Sequence, residues 1–294
     1  MAAIATSPAA SPAAKLGRWS RFAVFARRNP TIALGAAMLL AMAAVAAVAP
    51  WIAGDPRLMT PGNRLLAPSA EFWFGTDHLG RDVYARSVYG AQISLIVGLS
   101  VAVISVAAGL TIGLAAGYYR RLDGVVMRFM DGLMAIPAIL LAIALVSLNR
   151  ASVWIVIVAI AIPEVPRVVR LVRSVVLTTR EQPFIEAAIG GGSRNLKIIV
   201  RHILPSTVAP LIVQATYITA SAILIEAALS FLGAGVPPEI PTWGNMIASS
   251  RLFLARAPWT IFFPGAALAL VVLAVNLMGD GLRDRLDPRL ARRM

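Results

Sequence analysis

The chain has 294 residues, of which 59% are apolar and 14% charged, and its mean hydropathy is +0.78. A soluble domain carries roughly 25% charged residues, so most of this surface is not built for water. The absence of cysteine excludes disulfides and thiolate metal sites, and His78 and His202 are too few for a histidine-rich metal centre. The net charge of +13 comes from arginines set between apolar runs, which fits an anionic lipid surface and not nucleic acid.

Residues 1–14 are rich in Ala, Pro and Ser and read as disordered. Lys15–Arg28 sets Trp19, Phe22 and Phe25 three residues apart among basic side chains. This is either a short interfacial helix or a basic flank that sets topology. Six apolar runs then approach the ~20 residues that a bilayer core requires: Thr31–Ala53, Ile93–Gly117, Val125–Leu148, Val153–Val172, Val208–Gly235 and Thr260–Asp280. Strict alternation is absent, so an all-α polytopic membrane bundle is expected and not a barrel. The fourth run is impure, with Pro163, Glu164, Pro166, Arg167 and Arg170.

Six spans put both termini on one side of the membrane. With the N-terminus inside, only Arg57, Arg64, Arg81, Arg86, Arg150, Arg251 and Arg256 lie outside, and every other Lys and Arg faces the cytoplasm. The positive-inside rule therefore selects N-in, C-in. The expected divisions are 1–30 as a cytoplasmic N-terminal segment, 31–53 as the first span, 54–91 as an outer loop, 92–281 as the permease core and 282–294 as a cytoplasmic tail.

Individual polar residues have competing readings. Arg167, Arg170 and Arg173 share one helical face, for snorkelling and topology or for gating. Glu164 and Glu226 sit in apolar runs, where a carboxylate faces the bundle interior, so Glu226 is a candidate for lining a translocation path. Asn276 is a second candidate or interhelical glue. Asp77, Arg81, Asp82 and Arg86 are spaced to pair as Asp77–Arg81 and Asp82–Arg86 along a short outer helix. No Gly-x-x-x-x-Gly-Lys-Ser/Thr loop is present, so ATP hydrolysis is not expected in this chain.

The most informative segment is 176–206. Glu186-Ala187-Ala188-Ile189-Gly190-Gly191-Gly192 is followed, nine residues on, by His202-Ile203-Leu204-Pro205. It reads as a short helix, a glycine turn, an amphipathic helix with Leu196, Ile199, Val200 and Ile203, and a proline start to the fifth span. Such a hairpin either docks into a groove of a soluble partner or lies on the bilayer as a connector.

These residues resemble the EAA loop of permease subunits in binding-protein-dependent ABC importers. Phe74–Val83, Leu229–Gly233 with Pro241–Met246, and Gly279–Asp284 with Leu286–Arg289 resemble the dipeptide/oligopeptide/nickel branch, in particular its C-type subunit. The resemblance covers nearly the whole chain after residue 25. It implies a six-span type I importer permease fold in the bacterial inner membrane. The implied partners are a second homologous permease, two cytoplasmic ABC ATPases that bind the ATP and magnesium, and an extracytoplasmic solute-binding protein. It assigns ATPase coupling to Glu186, Ala187, Ala188, Gly192, Leu204 and Pro205, and an outer-loop motif to Gly75, Thr76, Asp77, Gly80, Arg81 and Asp82. It implies peptide cargo, with nickel or another small solute as the alternative within the branch. A proton-coupled carrier using Glu226 is the alternative from another class. The sequence departs from the family at Ile189-Gly190-Gly191, where helix formers are usual, so a shorter or softer coupling helix is expected.

Overall fold

The computed structural model describes residues 24–149 and 152–286, and among these residues every long element is helical. The expectations for 1–14, Trp19, Phe22 and the tail beyond Leu286 lie outside them. Pro30 opens α1 (Pro30–Ala47), which runs through Val48 into the single turn α2 (Ala49–Ile52). The outer segment 53–82 folds back before α3 (Val83–Tyr118), a rod of 36 residues. At 1.5 Å per residue it is ~54 Å long, enough to cross a bilayer and emerge on both faces.

The third expected span is broken. Pro137 lacks an amide proton and crowds the residue before it, so Ile136 is extended (φ −90°, ψ 127°). The result is α4 (Arg120–Ala135) and α5 (Ala138–Ser147), bent by 85°. Next comes α6 (Val153–Arg180), 28 residues long and helical through Pro163 and Pro166. Four helices in the described residues are long and apolar enough to cross a membrane, or five if the bent pair counts as one crossing. The expected count of six spans, the fourth already read as impure, is therefore not met in full. One crossing is kinked by Pro137, and α6 carries Glu164, Arg167, Arg170 and Arg173 along the crossing.

The remaining elements are α7 (Pro183–Gly190), α8 (Asn195–Ile198), α9 (Leu204–Phe231), the outer helix α10 (Trp243–Ser250) and α11 (Trp259–Leu286). A π-helical turn, Ile199–Ile203, joins α8 to α9 without a break. The proline start expected for the fifth span is thus an interruption of a continuous rod. Pro205 supplies no amide hydrogen, and the ladder shifts register just upstream, where Leu204 N–H donates to Ile199 O.

Packing centres on α3 against α6, with α9 beside both. Gly109, Gly113 and Gly117 make one stripe on α3, and Val168, Val172 and Val176 of α6 seat directly on it. Small residues every four positions let two backbones approach, which is how helices associate where lipid supplies no hydrophobic drive. On the far side α1 packs antiparallel on α11. Gly35 lies against Ala274 and Met278, and Gly281 lies against Thr31 and Ile32. Leu40, Leu99, Leu140 and Phe262 remain exposed around the bundle, as lipid contact requires.

Candidate functional site

The 176–206 segment forms a hairpin at the end of the bundle where α3 and α6 terminate. Ile185, Ile198 and Ile203 are fully buried in the main core and anchor it. Phe184, Ile189, Leu196 and Val200 point outward, with Leu196 71% exposed, beside exposed Glu186 and Ala187 and half-buried Ala188. Leu204 is half-buried and Pro205 exposed at the base of the rod.

The turn explains one glycine of the three. Helix α7 continues through Gly190, and Gly192 alone takes a left-handed conformation (φ +76°). Ser193 N–H donates to Ala188 O (3.0 Å) and Gly192 N–H to Ile189 O (2.9 Å), the paired bonds of a Schellman cap. The α7 helix is therefore eight residues long and ends in a hydrogen-bonded cap. An added Cβ at Gly190 meets nothing within 4 Å. Gly190→Ala is expected to stabilise α7 by about 1 kcal/mol, and Gly192→Ala to destabilise the turn by about 1–2 kcal/mol. Amide hydrogen exchange over 183–193 reads both, and equal protection in the two variants would contradict this account.

The hairpin is tied to the bundle through Tyr118. Its hydroxyl donates to Asn195 Oδ1 (3.0 Å), and its carbonyl accepts from Arg180 Nη1 (3.0 Å). Above it, the arginine face of α6 meets a carboxylate at each step. Arg167 bonds Glu164 (2.9 Å), Arg170 bonds Asp131 (2.6 Å), and Arg173 bonds Asp123 through Nη2 (2.7 Å). The sequence placed these arginines on one face but did not find Asp123, Asp131 or Tyr118. Asp123 and Asp131 are eight residues apart and meet arginines only three apart, so α4 crosses α6 at an angle that spacing does not encode.

The motif at 75–82 builds a cap over the other end. Asp77 Oδ1 accepts from Leu79 N–H (2.8 Å) and Arg81 N–H (3.0 Å), and Oδ2 accepts from Arg81 Nε (2.7 Å). Arg86 Nε stands 4.0 Å from the same carboxylate, and its guanidinium donates to Pro56 O and Pro238 O. The expected Asp77–Arg81 pair forms, but in a turn. Gly80 (φ +74°) rules out the expected outer helix, and an added Cβ there would run into Thr60 O. The expected Asp82–Arg86 pair does not form, because Asp82 caps α3 by accepting from Tyr84 N–H (2.9 Å). Burial pushes the Asp82 carboxyl up, opposed by the Tyr84 and Ala85 amides. Thr76 Oγ1 accepts from Leu66 N–H (2.8 Å), and Gly75 (φ +72°) lies against the Trp259 indole. His78 stacks on Phe253 (centroids 5.2 Å apart), and burial pushes its imidazole below the ordinary range.

The two path candidates separate. Glu226 is 1% exposed, with Oε1 accepting from Ser230 Oγ (2.8 Å), and it sits inside the chain under α10. Asn276 is exposed and lines a groove of about 570 Å³ between α9 and α11, together with Gln214, Tyr217, Asp280 and Arg283.

A bundle of membrane-length helices, with a cap at one end and an exposed hairpin at the other, defines a polytopic membrane protein. Residues 109–292 match the family model described as the binding-protein-dependent transport system inner membrane component. The chain is 60% identical over 268 residues to a probable peptide ABC transporter permease of Sinorhizobium fredii, covering 91% of this chain and 92% of the relative. It is 47% identical over 264 residues to a putative peptide transport system permease of Brucella abortus, covering 90% and 89%. It is also 47% identical over 266 residues to the dipeptide transport system permease protein DppC of Alkalihalophilus pseudofirmus, covering 90% and 88%. The chain belongs to the family of inner membrane permease components of binding-protein-dependent ABC importers.

Proposed function

We propose that this chain is one of two permease subunits of an importer that carries di- or oligopeptides across a bacterial inner membrane, with both termini in the cytoplasm. Its companion is a second homologous permease. Two cytoplasmic ATPases bind ATP and magnesium and carry out the hydrolysis, and an extracytoplasmic binding protein delivers the cargo. The peptide assignment is supported by the names of the relatives above. The coupling assignment rests on one observation: the 183–203 hairpin buries three isoleucines in the bundle while presenting Phe184, Ile189, Leu196 and Val200 outward. A surface of this kind seats as a helix in a groove. Closure of the ATPases on ATP then moves the hairpin, and Tyr118 and the arginine–carboxylate pairs pass that motion into α3 and α4. ATP binding thereby biases a two-state bundle between inward and outward access.

The test uses the importer of two permeases and two ATPases in proteoliposomes, together with the binding protein. Glu186→Ala and Leu196→Asp are expected to lower ATP-driven peptide uptake by about tenfold or more, since exposed anchors at such contacts contribute ~1–2 kcal/mol or more each. Binding-protein stimulation of ATP hydrolysis falls in parallel. Unchanged uptake by an assembled complex carrying Leu196→Asp contradicts the coupling role. Uptake that needs no ATP contradicts the importer reading.

A further inference from the structure

The groove between α9 and α11 carries chemistry that neither the cap nor the coupling hairpin uses. On α11, Asn276, Asp280 and Arg283 stand at i, i+4 and i+7, so they form one stripe, and all three are exposed. The other faces of the same turns are closed by packing. Val275 and Gly279 are buried, and Gly279 lies against Thr216 of α9. That close approach brings Gln214 and Tyr217 of α9 into the same groove. Asp280 and Arg283 stand in the last two turns of α11, at the edge of the sixth apolar run, and Asn276 lies one turn deeper. The stripe therefore leads from the end of the bundle inward, where polar groups face the bundle interior or water. Thr216, Ala209, Pro210 and Val213 complete the α9 wall, and the last three bear no side-chain polar group.

We propose that this groove is an inner waypoint of the translocation path that holds the ends of a short zwitterionic peptide, Asp280 facing its ammonium and Arg283 its carboxylate. The proposal rests on the peptide-import reading above. The dimensions agree. Neighbouring helical positions three apart place Cβ atoms ~5–6 Å from each other. An extended dipeptide spans at most ~7 Å. Both termini of one dipeptide therefore reach both charges, with Gln214, Tyr217 and Asn276 available to the peptide bond. A groove of 570 Å³ lies within the ~300–1,000 Å³ range of small-ligand sites. The polar wall reads only main-chain features, while the apolar wall accepts side chains without choosing among them. This waypoint is therefore indifferent to peptide sequence, and its hold is weak, because a site on a conduction path must also let go.

The chain has no cysteine, so Val213→Cys gives this subunit a single thiol, placed in the groove, and labelling in the assembled importer is read on this subunit alone. A charged, membrane-impermeant thiol reagent is applied from the cytoplasmic face, with alanyl-alanine or its N-acetylated amide as the probe. Labelling is expected, and saturating alanyl-alanine slows it by about tenfold. The capped dipeptide gives no protection. Asp280→Asn or Arg283→Gln in the reporter chain abolishes the protection while leaving the cysteine reactive. No labelling means that lipid or the companion permease covers the groove, and it overturns the proposal. Labelling that neither dipeptide slows, or that both slow equally, overturns the assignment of Asp280 and Arg283. Peptide uptake by the unsubstituted importer is measured alongside. If uptake fails, the peptide reading falls, whereas intact uptake with an unprotected cysteine removes only the waypoint.

Discussion

Asp77→Asn is expected to open the outer cap almost as completely as Asp77→Ala. The two side chains differ in what they leave behind, but both remove the one carboxylate facing two buried guanidiniums. Arg81 is 4% exposed and Arg86 1% exposed, and Asp77 itself is 5% exposed. Removing one partner of a buried ion pair costs about 3–5 kcal/mol, because the remaining charge cannot return to water without unfolding its surroundings. Here Arg86 also ties 53–82 to the loop before α10 through Pro56 O and Pro238 O. Its displacement frees two outer segments together. Protease added from the outer face of the purified importer should cleave within 53–82 in both variants and spare the parent. An Asp77→Asn protein with parental protease resistance would show that hydrogen bonding, and not charge, holds the cap.

The second large effect is at the α3–α6 seam. A Cβ at Gly113 would stand 2.7 Å from Val172 Cβ and 3.0 Å from Val169 O, distances that only helix separation relieves. Gly113→Leu is expected to lower bundle stability by more than the ~1–3 kcal/mol of ordinary overpacking, because the obstacle on the other side includes backbone. Recovery of folded permease in detergent and its thermal unfolding midpoint should both fall. Gly124→Leu is the matched control, since a Cβ at Gly124 on α4 meets nothing within 4 Å. If both variants lose stability equally, helix propensity or hydrophobicity and not the seam is responsible.

Much of the molecule was legible from local chemistry. Apolar runs gave the crossings, because every backbone polar group in lipid must bond within its own helix and each run needs a fixed length. The hairpin and its glycine turn were legible for the same reason, but its apolar face was not. Of Leu196, Ile199, Val200 and Ile203 only Ile203 is fully buried, Leu196 and Val200 point outward, and Ile185 and Ile198 are the other anchors. Other features were misread for definite reasons. Asp82 and Arg86 have the spacing of an ion pair, but Asp82 was already committed to capping α3 and Arg86 to carbonyls far along the chain. The third span carried its own interruption at Pro137, and apolarity outweighed that signal in the reading of 125–148. The glycine stripe at 109, 113 and 117 was visible as a four-residue repeat and went unused.

By itself the sequence determined a chain of membrane helices, its hairpin and its turn residues. These follow from interactions within one helix or one turn, which neighbouring residues specify. Only the tertiary structure decided that Arg170 and Arg173 face Asp131 and Asp123, that Glu226 lies inside the chain while Asn276 opens on a groove, and that Asp280 and Arg283 share that groove with Gln214 and Tyr217. Those relations depend on the angles and rotations at which helices pack. Ridges, glycines and valines distant in the chain set these angles jointly, so no single stretch of residues contains them.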